Sequence, residues 1–485
     1  MTAFRSKVTR ALGWAGAAKF LGQAISFILG IALARMLSPD AFGLIAMALV
    51  FTGLAGLLMD VGLGAALVQG RQLTESHFNS VFWLNACLGA VLALLVYFLS
   101  HEIASFYARP ELSDISKVLA LQFLISSVAL VPRQLLVKAM NFQAIASADL
   151  IGMVTAGFLA VWMAYDGYGY WALVWQPITS RVLATLYIYW ACNWRPSLQF
   201  SGRAVQELFG FSFYVFATRL VQYSVRQLDK LLVGRYLGAA QVGLLDKAQS
   251  MMLFPLQNVS NVIGSVMFPA LSEIQHDVPR VRKVYLKSIQ SIALLTFPMM
   301  AGMFAVAENF TVALLGEHWI ELVPILRILC FAGLAYSIVT VTGTIYLSQG
   351  KAKLQFKVNL FTRPLAVIGI LVGLQWGVQG VAIGATIAAW INTMITLKVA
   401  GRLIDLSLSA MFSGLYQVLL ASLFMCIALF ALDQYLAHLP PALVLVSKMI
   451  LGMVIYFIII FIMKVPAIGD LRAILENKFW RKNNR

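Results

Sequence analysis

Long apolar runs, each unbroken by charge over most of its length, alternate with short polar connections along the whole chain. The runs lie near 11–34, 41–69, 79–99, 115–139, 145–165, 170–192, 208–236, 244–270, 285–306, 321–348, 355–375, 378–400, 412–434 and 442–464. About 20 apolar residues in a helix cross a bilayer core, so each run is a candidate span. A barrel strand would instead alternate over about 10 residues, and continuous apolarity excludes it. The pattern therefore predicts an all-α, polytopic membrane protein with about 14 transmembrane helices. Arg5, Lys7 and Arg10 precede the first run. At about 24 residues, with no small-residue cleavage site, that run is longer than a signal-peptide core and is expected to be retained.

Composition agrees. The 485 residues are 61% apolar and 12% charged, and mean hydropathy is +0.84, which rules out a soluble enzyme. The net charge of +16 comes from Lys and Arg scattered between apolar runs. They form no aromatic-interleaved basic surface, so nucleic acid is not an expected partner. Sorted by connection, about 23 basic residues fall at the N-terminus, in the even connections and in the tail. About six fall in the odd ones (Arg35, Arg109, Lys117, Arg235, Lys247 and Lys448). The positive-inside rule then predicts both termini in the cytoplasm. Cys87, Cys192, Cys330 and Cys426 sit in or at the ends of spans without metal or redox spacing and read as free thiols. The five histidines are isolated, and no glycine-rich phosphate loop ends in Lys-Ser or Lys-Thr. No enzyme chemistry, metal site or cofactor is expected, and transport would draw on an ion gradient or on the substrate's own gradient.

The chain also repeats itself. Residues 34–44 read ARMLSPDAFGL and residues 234–244 read GRYLGAAQVGL, with Arg, Leu, Gly and Leu in register. A second echo pairs Gly167, Ala172 and Leu173 with Gly377, Ala382 and Ile383 at an offset of 210. Together they suggest a six-helix unit used twice, as parallel repeats about an axis along the membrane normal. The expected organisation is one six-helix lobe over 1–200 and a second over 201–405. Two further helices and a basic tail follow over 406–485. Transporters built from such repeats bind substrate between the halves and expose it to each side in turn.

Once the basic residues assigned to the connections are set aside, the remaining seven of the 36 lie inside the runs: Lys19, Arg181, Arg219, Arg226, Lys230, Arg327 and Arg363. Each carries an insertion cost of about 2.5–3.5 kcal/mol near a helix centre unless water, a partner or a ligand meets it. In the seventh run Arg219, Tyr223, Arg226 and Lys230 share an arc of about 60° and climb roughly 16 Å, which makes a basic ladder. The 200-residue offset carries Arg219 to Lys19, Tyr223 to Gln23 and Arg226 to Ser26, a matching polar face on the first run. The reading is a wet, positive cavity lined by both. Snorkelling of Arg219 or Lys230, or neutralisation by Asp229, is the structural alternative. Depth favours the cavity for the ladder, and snorkelling for Arg327, Arg363 and Lys448. Arg181, close to Pro177, is a secondary cavity candidate. Acidic groups in the runs are Asp60, Asp149 and Asp229, a balance that favours an anionic substrate. Asp60, among Gly53, Gly56, Gly62 and Gly64, and Asp229 are the candidates for cation or proton coupling. For Asp60, capping a local helix break is the other reading. Gln122, Gln176, Asn85, Asn258 and Asn261 suit sugar hydroxyls or interhelical hydrogen bonds.

The run ARMLSPDAFGLIAMALVFTGLAGLLMDVGLGAALVQ (34–69), the stretch LLGEHWIELVPILRIL (314–329) and the six-plus-six-plus-two layout resemble the polysaccharide transporter family. These are bacterial Wzx-type flippases, and the closer likeness is to the branch that holds the colanic-acid exporter and other lipopolysaccharide biosynthesis proteins. The resemblance implies an inner-membrane helical bundle that moves undecaprenyl-pyrophosphate-linked oligosaccharide toward the periplasmic leaflet by alternating access. Its expected partners are that substrate, membrane lipids and glycan polymerase or assembly proteins. Two rival readings stay open: a cation-coupled multidrug or metabolite antiporter of the related efflux family, and a non-transporting scaffold for glycan assembly.

Overall fold

The computed structural model describes residues 2–59, 63–69, 73–436 and 438–463. They are helical almost throughout, because backbone groups surrounded by lipid must bond within their own segment. The contacts divide the chain into two compact units, Met1–Gly243 and Leu244–Arg485.

Unit 1 holds α1 (Thr2–Met36), α2 (Pro39–Met59), α3 (Leu63–Gln69), α4 (Glu75–Tyr107), α5 (Glu111–Lys138), α6 (Phe142–Tyr165), α7 (Trp171–Ala191) and α8 (Gly202–Leu237). The turn into α2 follows its sequence: Pro39 begins the helix and the Ser38 hydroxyl accepts the Ala41 amide at 3.4 Å. Arg109, in the turn after α4, donates to both carboxylate oxygens of Asp40 at 2.9 and 2.8 Å. Those bonds raise the pKa of its guanidinium and fasten the start of α2. α4 packs along α5, α5 along α7, α7 along α6, and α6 along α1. α8 packs on α2, α3 and α4.

The two echoing turns meet. A Cβ on Gly43 would overlap the carbonyl oxygen of Ala239, and a Cβ on Gly243 would overlap that of Pro39. Positions 39 and 43 thus touch 243 and 239 reciprocally, a local two-fold relation between residues 200 apart in sequence. Glycine is required at both positions because backbone sits where a side chain would go.

Unit 2 holds the body of α9 (Ala239–Glu273), then α10 (Val278–Phe310), α11 (Leu322–Val339), α12 (Thr342–Ser348), α13 (Ala352–Gly373), α14 (Gly377–Leu403), α15 (Leu408–Ser413), α16 (Tyr416–Ala431), α17 (Asp433–Leu436) and α18 (Pro441–Ile462). Asp277 caps α10 by accepting the Arg280 amide at 3.1 Å. Buried tyrosines place their hydroxyls on partners: Tyr285 meets Thr342 Oγ1 at 2.8 Å, and Tyr456 donates to the Leu294 carbonyl at 2.7 Å. α13 and α14 cross backbone to backbone at Gly369 with Gly384 and at Gly373 with Gly380.

Among the described residues each of the fourteen apolar runs falls on one helix or on successive helices. The run near 41–69 contains α2 and α3, and the run near 321–348 contains α11 and α12. Ten segments of the described residues are long and apolar enough to cross a membrane. α7, α8 and α9 fall outside that measure. For α8 the reason is its own polar stripe.

Lys448 departs from the snorkelling expectation. Lys448 is 1% exposed; its ammonium pairs with Asp433 and donates to Asn309 Oδ1 at 3.1 Å. It is buried and bonded, where snorkelling would put the ammonium in water. Arg327 lies 5.9 Å from the ring centres of both Phe304 and Phe430, with Glu308 at 3.7 Å.

Candidate functional site

The charged candidates with Gln23 and Tyr223 fall in unit 1, on α1, α7 and α8 and in the segment after α2, whereas Asn258 and Asn261 lie on α9 in unit 2. On α8 the Tyr223 hydroxyl donates to the carbonyls of Leu49 at 2.8 Å and Val50 at 3.2 Å on α2. Its ring covers Gly53, where any Cβ would overlap it. Further along, Gly234 admits the Tyr107 ring and the Met47 side chain. At 3.6 residues per turn, Tyr223, Lys230 and Gly234 share a stripe about 40° wide, which faces α2 and α4. Lys230 on that stripe is partly buried. Arg226 lies about 60° away from Tyr223, is exposed, and has no hydrogen bond or ion pair among the described residues. The Asp229 carboxylate accepts the Lys230 backbone amide at 2.8 Å. The Arg219 side chain, Asp60 and the Asn261 side chain lie outside the described residues.

On α1, Lys19 is exposed and Gln23 partly buried. A Cβ on Gly22 would stand in ordinary contact with Leu150 and Met153 of α6, and Gly157 of α6 receives the Leu29 side chain, which would overlap any Cβ there. This parallel pairing puts Lys19 at the depth of the first turns of α6, where Asp149 stands. Among the described residues α1 packs chiefly on α6, and α8 on α2, α3 and α4.

A group that the hydropathy pattern does not single out completes the polar face. Arg133 of α5 grips Asp149 of α6 with two hydrogen bonds of 2.9 and 2.7 Å. Two turns along the same face of α5, the Ser126 hydroxyl accepts Arg181 Nη1 at 2.6 Å. Arg181 stands at the middle of α7, exposed, with no carboxylate partner among the described residues. Inside the bundle, Asn85 donates to the Ser127 carbonyl at 3.2 Å, while its buried Oδ1 has no partner among the described residues. Arg133 is legible only as a charge near the end of an apolar run; its carboxylate partner lies on another helix.

Unit 1 thus carries cations on α1, α5, α7 and α8, Arg133 neutralised by Asp149 and Arg181 held by a serine hydroxyl. Among the described residues no group of three or more His, Cys, Asp or Glu side chains is placed to hold a metal ion. The four cysteines are free thiols.

Ten segments of the described residues, long and apolar enough to cross a bilayer, define a polytopic membrane protein. The solved fold it resembles is that of the lipid II flippase MurJ in an inward closed conformation, with a TM-score of 0.74 at 15% identity, over 93% of this chain and 98% of that one. In sequence, residues 32–324 match the family described as polysaccharide biosynthesis protein, and the chain belongs to that family. It is 28% identical over 399 residues to the lipopolysaccharide biosynthesis protein WzxC of Escherichia coli K12, covering 81% of this chain and 80% of WzxC. To the succinoglycan biosynthesis transport protein ExoT of Rhizobium meliloti 1021 it is 27% identical over 460 residues, covering 93% and 92%.

Proposed function

We propose that this protein is a flippase for a lipid-linked oligosaccharide carrying an anionic diphosphate, and that the polar face of unit 1 receives the diphosphate. The observation that carries the reading is Arg181, a cation at the midpoint of α7, the helix of the apolar run near 170–192, whose one described partner is a serine hydroxyl. A guanidinium in that setting needs an anion or water, and its planar donors match phosphate oxygens. Arg226 and Lys19, exposed and without described partners, extend the same demand to α8 and α1. Arg219, Lys230 and Gln23 complete the proposed path. Tyr223, with its hydroxyl on α2, acts by fixing the rotation of α8.

The family match and the names of the relatives support glycan export as the task. The loop-charge asymmetry supports cytoplasmic termini, so the cargo would move from the cytoplasmic to the outer leaflet.

The test is glycan export in cells that depend on this protein, at equal membrane abundance. A charge-assisted hydrogen bond is worth about 1.5–3 kcal/mol, so Arg181→Ala and Arg226→Ala should each lower export about tenfold or more. Arg181→Lys, which keeps the charge, should retain more than Arg181→Ala. Full export by both alanine variants would contradict the anion role.

A further inference from the structure

The connection between α7 and α8, residues 192–201, contains no helix, yet it is fastened bond by bond to the first turns of α4. Trp194 Nε1 donates to Glu75 Oε2 at 3.1 Å and Trp83 Nε1 to the Ser197 carbonyl at 2.8 Å. The Ser197 amide donates to Asn79 Oδ1 at 2.9 Å and the Ser201 amide to Ser80 Oγ at 2.8 Å. Positions 75, 79, 80 and 83 lie on one side of α4, within about 140°, and Asn79 and Ser80 are buried. A segment held this closely cannot fold its side chains under itself. Leu198 is 90% exposed and Phe200 61% exposed, two residues apart.

Their surroundings identify what covers them. Aromatic residues ring this end of the unit: Trp190, 74% exposed, lies 5.3 Å from Tyr187, and Phe82 contacts both Trp83 and Trp194. Basic groups accompany them. Arg195 lies over Tyr189 and donates to the Cys192 carbonyl at the end of α7, Lys138 lies over Phe78, and Arg203 is exposed at the start of α8. Tryptophan and tyrosine collect at the level of lipid headgroups, and Lys and Arg beside them attract anionic lipid. Apolar side chains at that level enter the boundary between headgroups and acyl chains.

We propose that the α7–α8 connection is a membrane-interface anchor, in which Leu198 and Phe200 insert into the headgroup–acyl boundary of the bilayer with Arg203 facing the lipid phosphates. Because Ser201 is bonded to α4 and α8 begins at the next residue, the anchor sets the depth at which α8 enters the membrane. The partner is phospholipid, and a protein docked on the same two side chains is the competing outcome.

The test uses the full chain with Cys87→Ser and Leu198→Cys, labelled with a small environment-sensitive fluorophore and placed in vesicles of phosphatidylethanolamine and phosphatidylglycerol. Lipids brominated close to the glycerol should quench the label several-fold more than aqueous iodide does. Quenching by iodide as strong as for free dye, with no effect of bromolipid, would overturn the proposal and favour a protein partner. Phe200→Cys repeats the measurement should the first variant fail to fold. Neither readout depends on transport, so the flippase reading and the anchor stand or fall separately.

Discussion

Lys448 shows how a charge placed by local sequence acquires its meaning from distant residues. Its position within the last run predicts an ammonium reaching water, but the amine meets Asp433, in the short helix before α18, and Asn309, 139 positions away at the end of α10. No pattern of neighbours along the chain encodes that pairing. The same holds for Arg133 and Asp149, a pair formed across two helices. Lys448 is buried and Asp433 partly exposed; a buried charge that loses its partner is costly, whereas replacing both members is nearly neutral. Asp433→Asn should therefore destabilise the purified protein by about 1–3 kcal/mol. Lys448→Met combined with Asp433→Asn should recover most of that loss, because both charges are gone. Thermal unfolding in detergent measures both. An Asp433→Asn variant as stable as the parent would show the pair to be unimportant.

At the scale of the helices, the sequence was informative about where elements lie and weak about how they face. Apolar runs mark every long helix, since lipid leaves the backbone no alternative. They do not mark the separation of α11 from α12, because both sides remain apolar. Helical periodicity gathers Arg219, Tyr223, Arg226 and Lys230 in one arc but cannot say which neighbour that arc meets. The contacts of Tyr223 and Gly234 turn part of it toward α2 and α4 and leave Arg226 at the margin. Gly53 is the complementary half of this contact. Gly53→Val should destabilise by about 1–3 kcal/mol through overpacking. Pairing it with Tyr223→Leu should relieve part of the strain, giving a coupling of about 1 kcal/mol or more in a double-mutant cycle. Strictly additive effects would place Tyr223 away from α2.

For the whole molecule, composition and run length alone establish an all-helical membrane protein, and the family match places it in polysaccharide biosynthesis. The ligand-facing chemistry is less legible because it depends on subtraction: of the basic residues inside spans, those already matched by carboxylates must be set aside before the rest can signal an anion. Arg133 is set aside in this way, and Arg181, Arg226 and Lys19 are left on unit 1. The central claim is that these cations carry an anionic lipid-linked glycan between leaflets. The direct measurement is leaflet-to-leaflet transfer of a fluorescent diphosphate-linked oligosaccharide lipid in vesicles holding the purified protein. The account predicts protein-dependent transfer that falls at least tenfold, by about 1.4 kcal/mol of barrier or more, when Lys19, Arg181 and Arg226 are replaced by glutamine. Transfer at an undiminished rate by the triply substituted protein, folded and equally abundant, would contradict it.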